Sequence, residues 1–563
     1  MRRDIKSYNK RLQSLKSERS SFMSHWKELS DNLLAHRGQF LSSNRNKGHK
    51  RNTNQINNIS RRAIRTLASG MMAGITSPAR PWFRLMTPDP LLNDIAAVKE
   101  WLFDVENMMR EVFSASNTYN SLHLIYSELA TFGTAALGVY ENFDNVIWCR
   151  PYTVGAYMLA TNEMNQVDTF YREYERTVAQ VIKEFGEANV SDHVRDLWKK
   201  GSTEAWVKIV HVIEPNDDRD NKSPFAGNKK YRSVYYESEA KHRKGDKGDK
   251  GDTKFLRESG FDSFPIMAPR WEGGPDDVYG TDCPGMMAIG DNKSLQIAER
   301  RGYQALDKVA NPPVQAPGSL RNKVSSILPG EVVYVDDTSA GGLRNIYDYR
   351  PDLNAIDAKI VRVEDRIDKT FYVDLFLMLS NTTRRQITAR EIVERHEEKL
   401  LMLGPVLERL HNELLDPLID RTFSIMQKAG VLPEPPEELQ GMDLKVEYVS
   451  VLAQAQKMVA VGAIERVASF AGELSAVWAD ARHKFDAQQA IDEYSESLGL
   501  SPRIVRSDDD VAEIVAQEQE AMQRQKATEM AAQGVNMAKV ASETNTESQN
   551  ALTDMMKMAG VQQ

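Results

Sequence analysis

Few residues with catalytic chemistry stand at spacings that would let them use it. His396-Glu397-Glu398-Lys399-Leu400 opens like a zinc-binding helix but lacks the second histidine that would complete the ligand pair. His396 also falls on an apolar helical stripe, where a histidine is expected as a packed core residue. Asp336-Asp337 and Asp508-Asp509-Asp510 could supply carboxylates for acid–base or metal chemistry, yet no histidine or glycine-rich phosphate loop accompanies them. The first pair reads as a turn and the second group as a helix start or an acidic surface run. Cys149 and Cys283 have no nearby histidine, and no Gly-x-Ser-x-Gly nucleophile turn occurs. Residues 241–253 repeat Gly-Asp-Lys with glycine every third position. The repeat is too short for a collagen helix and its spacing does not match a P-loop, so it reads as a surface loop. Nothing here supports an enzyme, a metal or a cofactor.

The remaining candidates are charges that could contact a polyanion or another protein. The 563 residues hold 72 basic and 80 acidic side chains, a net charge of −8. The charge is uneven: residues 1–70 carry 16 Lys/Arg against 4 Asp/Glu, leaving 56 against 76 in the remainder. A basic arm on an acidic body suits contact with nucleic acid or an acidic partner, or else is a solvated helix followed by the polar loop 45–58. No window approaches about 20 uninterrupted apolar residues, so no membrane-spanning helix is expected. The charged N-terminus has no apolar leader, and no secretory signal is expected. Two cysteines cannot frame a disulfide scaffold, which makes a reducing compartment the expected setting. The length suggests three or four domains.

The elements that must position these charges form an α+β fold, mainly helical. Residues 3–40 read as a helix with Leu12, Leu15, Phe22, Trp26 and Leu29 on its apolar positions. Further helices are expected at Ile56–Ile75 and Leu91–Ser116. Short β-rich runs follow: Leu137–Tyr140, Val146–Cys149, Tyr157–Leu159, Thr169–Tyr174, Ala205–Ile213 and Tyr231–Tyr236. They predict an antiparallel sheet. A helix ends at Ala310 before Asn311-Pro312-Pro313, and its Leu295, Ala298, Gly302, Ala305 and Val309 make a heptad seam of mostly small residues. A turn-rich insert with one strand, Glu331–Val335, leads to a second long helix from Leu353 to Leu379. Its Ile356, Ile360, Val363 and Ile367 share one face. Lys359, Arg362, Arg366 and Lys369 lie on another, opposite Asp357, Glu364, Asp365 and Asp368. Such a helix is either a solvated surface or one that repeats around a ring, its acidic side meeting the basic side of the next copy. The polar run Ser380–Gln386 precedes a capping box at Thr388–Glu391. A helix to Lys428 follows, kinked at Gly404-Pro405. A strand is expected at Leu444–Val449, and residues 451–560 read as helical.

Ser77-Pro78-Ala79-Arg80-Pro81-Trp82-Phe83-Arg84-Leu85, Tyr279-Gly280, Ala310-Asn311-Pro312-Pro313 and the polar loop into Thr388-Ala389-Arg390-Glu391 occur in this order. With the N-terminal third, they resemble the portal, or head-to-tail connector, proteins of short-tailed bacteriophages over roughly residues 1–450. The resemblance implies a ring, usually of twelve subunits, at one capsid vertex, through which a separate terminase motor drives double-stranded DNA. It implies a wing (1–280), a first stem helix (281–310), a clip (311–352), a second stem helix (353–379) and a tunnel loop (380–387). A long wing helix and strand (388–450) and a crown with the C-terminal helices (451–563) complete the assignment. The implied partners are further copies of the chain, DNA, terminase, major capsid and scaffolding proteins and a tail adaptor, with no membrane. The implied location is the virion, with host cytoplasm during assembly.

A stem helix of about 20 residues spans roughly 30 Å, over which duplex DNA presents on the order of 18 phosphates. A channel lined wholly by Lys and Arg would hold such a polyanion fast. Lys359, Arg362 and Arg366 are therefore expected to pair with neighbouring copies. The tunnel-loop residues that the resemblance implies, Thr383, Arg384, Arg385 and Gln386, are expected to face DNA, with the two arginines touching phosphates transiently. The alternatives are a structural scaffold or tail adaptor without a DNA channel, or a nucleic-acid-processing enzyme.

Overall fold

Asp4 opens the fold: its carboxylate accepts from the Ser7 amide at 2.9 Å and caps the first helix. The computed structural model describes residues 4–40, 55–89, 92, 95–219, 228–238, 255–310, 314–315, 344–345, 352–380, 403–439, 445–448, 464–475, 478, 484–498, 504–506 and 508–543. Residues 241–253, Glu331–Val335, Asp336-Asp337, Thr383–Gln386, the capping box at Thr388 and His396 lie outside them.

In chain order the elements begin with α1 (Ile5–Asn32), α2 (Ile59–Ile75), β1 (Phe83–Met86), α3 (Ala96–Ala115) and α4 (Thr118–Phe132). Next come β2 (Ala136–Asn142), β3 (Val146–Tyr152), β4 (Tyr157–Thr161), β5 (Val167–Thr177), α5 (Val178–Phe185) and α6 (Asp192–Lys199). Then follow β6 (Trp206–Pro215), β7 (Tyr231–Glu237), β8 (Arg257–Phe261), β9 (Ile266–Met267) and α7 (Pro284–Ala310). The chain continues with β10 (Val314–Gln315), β11 (Arg344–Asn345), α8 (Leu353–Thr370), α9 (Val373–Ser380) and α10 (Gly404–Leu410). A π-helical turn (His411–Leu415) leads into α11 (Asp416–Lys428) and β12 (Lys445–Tyr448). The last helices are α12 (464–475), α13 (Ala487–Leu498) and α14 (Asp508–Glu543).

Residues 1–85, 105–434 and 446–452 make one unit. Its centre is an antiparallel sheet in the order β4-β5-β6-β7-β8, beside a smaller sheet in the order β3-β2-β9. Each expected β-rich run coincides with one of these strands, Ala205 alone lying just outside β6, because β-branched and aromatic residues favour a strand. Ile5, Tyr8, Leu12 and Leu15 of α1 cover one sheet face, against Met158, Tyr171, Val210, Val212, Val234 and Tyr236. α5 and α6, inserted between β5 and β6, seal the sheet's end with Val178, Val181, Phe185 and Val194 on Ile209. The expected helix over residues 3–40 ends at Asn32, and the one expected from Leu91 begins at Ala96.

α4 is absent from the sequence expectation for a physical reason. Polar Ser121, Glu128 and Thr131 are buried along with Leu122, Ile125, Tyr126 and Leu129, so no solvent face marks its period. The expected continuous helix 353–379 is broken. Tyr372 takes a left-handed conformation with φ 55°, dividing α8 from α9. Residues 388–402 lie outside the described chain, and Gly404-Pro405 forms the first turn of α10.

Residues 86–104, 435–445 and 453–563 make the second unit. The Tyr494 hydroxyl of α13 donates to Glu465 of α12 at 2.9 Å. The acid run Asp508–Asp510 stands at the start of α14, as a helix-start reading requires.

Candidate functional site

The small-residue seam is the contact line between α7 and α8. A Cβ built on Gly302 would lie 3.6 Å from Cγ2 of Ile356, an ordinary packing distance. Eleven residues earlier on α7, Asp291 accepts from Arg366 of α8 at 2.7 Å, so the two helices run antiparallel. Leu295 and Ala305 on α7, and Val363 and Ile367 on α8, are buried. Val309, the last seam position, is 47% exposed and lies beyond the packed part. β10 and β11 pair antiparallel, Val314 opposite Asn345, so the strands leaving α7 and entering α8 also run together.

Polar residues beside the seam fix this hairpin to its body. Gln296 Oε1 accepts from the amides of Ile56 at 2.6 Å and Asn57 at 2.9 Å, and its Nε2 donates to the Asn57 carbonyl at 2.8 Å. Asn292 accepts from the Ser60 hydroxyl at 2.8 Å and donates to the Asn32 carbonyl at 2.9 Å. The Asn57 side chain donates through Nδ2 to Glu299 of α7 and Glu364 of α8, each at 2.7 Å, and so joins both helices. Sequence reasoning missed this set. Asn292 and Gln296 stand four residues apart, the one available signal, but such a polar pair normally marks a solvent face.

The charges of α8 divide between partners inside the chain and none. Asp365 pairs with Lys369 at 2.7 Å, and Asp368 with Arg62 of α2 at 3.2 Å. Burial raises the Asp368 carboxyl above its usual range, and Arg62 offsets this in part. Part of the acidic side thus faces α2 and the segment before it. On the basic side Arg366 reaches α7. Lys359 and Arg362 are exposed and make no ion pair with a described residue; Arg362 donates to the Ala358 carbonyl at 3.2 Å. Thr383, Arg384, Arg385 and Gln386 lie outside the described residues, just beyond α9. α9 is seated on α2 where Gly70 leaves room: a Cβ there would stand 2.1 Å from Cγ of Phe376.

Two sequence motifs set the hairpin's exit. The Tyr279 hydroxyl accepts from the Leu159 amide at 3.0 Å, and its ring lies 5.2 Å from those of Phe22 and Trp26. Burial pushes its pKa up to about 12. Gly280 and Gly285 then pass against the end of α4, where a Cβ on Gly285 would lie 2.4 Å from the Thr131 carbonyl oxygen. In the Ser77–Leu85 segment, Trp82 and Phe83 are buried with their rings 4.6 Å apart, and the Leu85 amide donates to Glu106 at 2.7 Å.

Among the described residues no group of His, Cys, Asp and Glu could hold a metal ion. The hairpin instead exposes large apolar side chains, including Ile297, Tyr303, Leu306 and Val361. Large apolar groups left in water on a rigid, firmly rooted hairpin are features of a protein built for assembly.

The comparisons with known proteins agree with that class. The family described as bacteriophage head to tail connecting protein matches residues 5–505. The chain is 46% identical over 560 residues to the portal protein of Salmonella phage epsilon15, covering 98% of both chains. It is 45% identical over 544 residues to the probable portal protein of Bordetella phage BPP-1, covering 96% of both. The chain belongs to the bacteriophage head-to-tail connecting protein family, and its role is structural, not enzymatic.

Proposed function

We propose that this chain is the subunit of a portal ring at one capsid vertex, with a central channel for DNA packaging and ejection. The observation that carries the reading is the rooted α7–α8 hairpin, in a chain related to two portal proteins over nearly its full length. α7 and α8 are the paired stem helices, and residues 311–352 between them are the clip. Residues 1–280 with 388–450 form the wing, 380–387 the tunnel loop and 451–563 the crown. Lys359 and Arg362, free of ion pairs with described residues of their own chain, meet acidic residues such as Asp357 of the neighbouring copy. Arg384 and Arg385 touch passing phosphates. Double-stranded DNA, a terminase motor, capsid and scaffolding proteins and a tail adaptor are the partners, in the virion and, during assembly, in the host cytoplasm. The ring closes at about twelve copies, each contact being heterologous.

Electron microscopy of the purified protein tests this. The expected particle is a closed ring with a hole wide enough for a duplex, about 20 Å. A monomer, or a ring closed at its axis, overturns the proposal, and the second result favours an adaptor without a channel.

A further inference from the structure

Apart from the helical hairpin, two neighbouring sheets hold three arginines without acceptors among the described residues. Trp148, Arg150 and Tyr152 alternate onto one face of β3, and Arg172, Tyr174 and Arg176 onto one face of β5. Their side chains interleave as a single stack. The Arg150 guanidinium carbon lies 5.9 Å from the Trp148 ring centre and 5.4 Å from that of Tyr152. The Arg172 carbon lies 5.2 Å from Tyr152 and 4.2 Å from Tyr174, and the Arg176 carbon 5.6 Å from Tyr174. Shared rings therefore hold three cations in a row at cation–π distance.

The edges of these cations meet no acceptor among the described residues. Arg172 is 6% exposed, and its Nε is buried without a hydrogen-bond partner. None of the three guanidiniums forms a hydrogen bond or ion pair with a described residue. Glu184, exposed on α5, influences Tyr174 but bonds to none of them. Burial and the neighbouring charge of Arg172 lower the pKa of Arg150, whereas at Arg172 the lowering by burial is outweighed by the surrounding tyrosines, which raise its pKa. Across the sheet from Arg172 stand His211, Tyr235 and then Arg257, in direct register. His211 is stacked on Tyr235 and, buried among arginines, has its pKa held well below the usual value; it adds no negative charge.

A guanidinium held beside aromatic rings still presents a planar fork of N–H donors, which matches the oxygens of a phosphate. We propose that the Arg150–Arg172–Arg176 stack binds a phosphate group. Several cations without an acid suit a multiply charged oxyanion better than one carboxylate. The source is either free phosphate or the backbone of a nucleic acid, and exposed Trp148, 42% accessible, stands at the open end of the stack.

The test follows thermal unfolding of the full-length protein against inorganic phosphate, with chloride holding ionic strength constant. Arg150→Gln and Arg176→Gln neutralise the half-buried ends of the stack, and Arg172→Met removes its buried centre. Phosphate is expected to raise the melting temperature of the parent above the chloride control. The half-saturating concentration is expected to rise about tenfold in each Gln variant, a factor of ten in affinity. These two variants keep the test decisive should Arg172→Met fail to fold. A short DNA duplex that competes with phosphate identifies the nucleic-acid backbone as the source; a duplex without effect identifies the free anion. Stabilisation no greater than chloride gives, or unchanged half-saturation in both Gln variants, overturns the proposal. So does a phosphate-insensitive protein whose Gln variants lose self-association, which would assign the stack to a carboxylate of a second copy.

Discussion

Gly280 crosses Gly133 so closely that a Cβ atom on Gly280 would stand 2.0 Å from the Gly133 carbonyl oxygen. The crossing fixes where α7 leaves the body, with the Gly280 amide donating to Thr134 Oγ1 at 2.7 Å. Gly280→Ala must push backbone aside and should cost about 1–3 kcal/mol or more. Gly302→Ala has room beside Ile356 and should be neutral or stabilising by up to about 1 kcal/mol, since alanine favours helix. Denaturant unfolding of both variants checks the contrast, and equal effects would show that the crossing carries no constraint.

Gln296 makes three hydrogen bonds to residues 56 and 57 and a fourth to Asn292. Gln296→Leu keeps the volume and leaves two backbone amides and one carbonyl of residues 56 and 57 without partners. The expected loss is about 1–3 kcal/mol for each group left dry. Amide hydrogen exchange at Ile56 and Asn57 should accelerate, whereas β5 and β6 keep their protection.

Glu128 lies buried in α4, accepting from the Val154 amide at 3.3 Å with Arg37 4.0 Å away. Burial raises its carboxyl from 4.5 to about 7, against the smaller pull of Arg37. Across that window the folded protein holds a proton that the unfolded chain has released, so stability falls as pH rises and levels off above about 7. Glu128→Gln removes this loss. Its stability relative to the parent should grow by up to about 3 kcal/mol across the window. A difference independent of pH would contradict the assignment.

Burial pushes the thiol of Cys149 up to about 11 and that of Cys283 to about 12. A thiol-specific reagent at pH 8 should label neither in the folded protein and both after denaturation. Rapid labelling of either in the native state would show that its cover opens.

Arg384→Glu combined with Arg385→Glu tests the tunnel-loop assignment. DNA packaging or retention should fall while the ring stays intact in electron micrographs. Dissociation into monomers would instead place these arginines at a contact between subunits.

Local pattern made much of the fold legible. The β-rich composition of Thr169–Tyr174 and Ala205–Ile213 located β5 and β6, whose central residues are buried on both faces. The four-residue stripe of Ile356, Ile360, Val363 and Ile367 found the packed face of α8. The break at Tyr372 was not legible, since a left-handed tyrosine carries no glycine, asparagine or proline to announce it. The acidic residues of α8 read as one surface, yet Glu364 and Asp368 turn to Asn57 and Arg62 of their own chain.

The sequence by itself determined most of the helices and strands, because periodicity and terminators act over a few residues, and its resemblance to portal proteins pointed to a structural, assembly-forming class. Only the tertiary structure decided which polar groups meet: Gln296 bonds to Asn57 across 239 positions of chain. It also decided which cations meet no acceptor, as in the arginine stack of β3 and β5. Hydrogen bonding and ion pairing depend on separation in space, and a side chain's type does not record which distant segment the fold will bring to it.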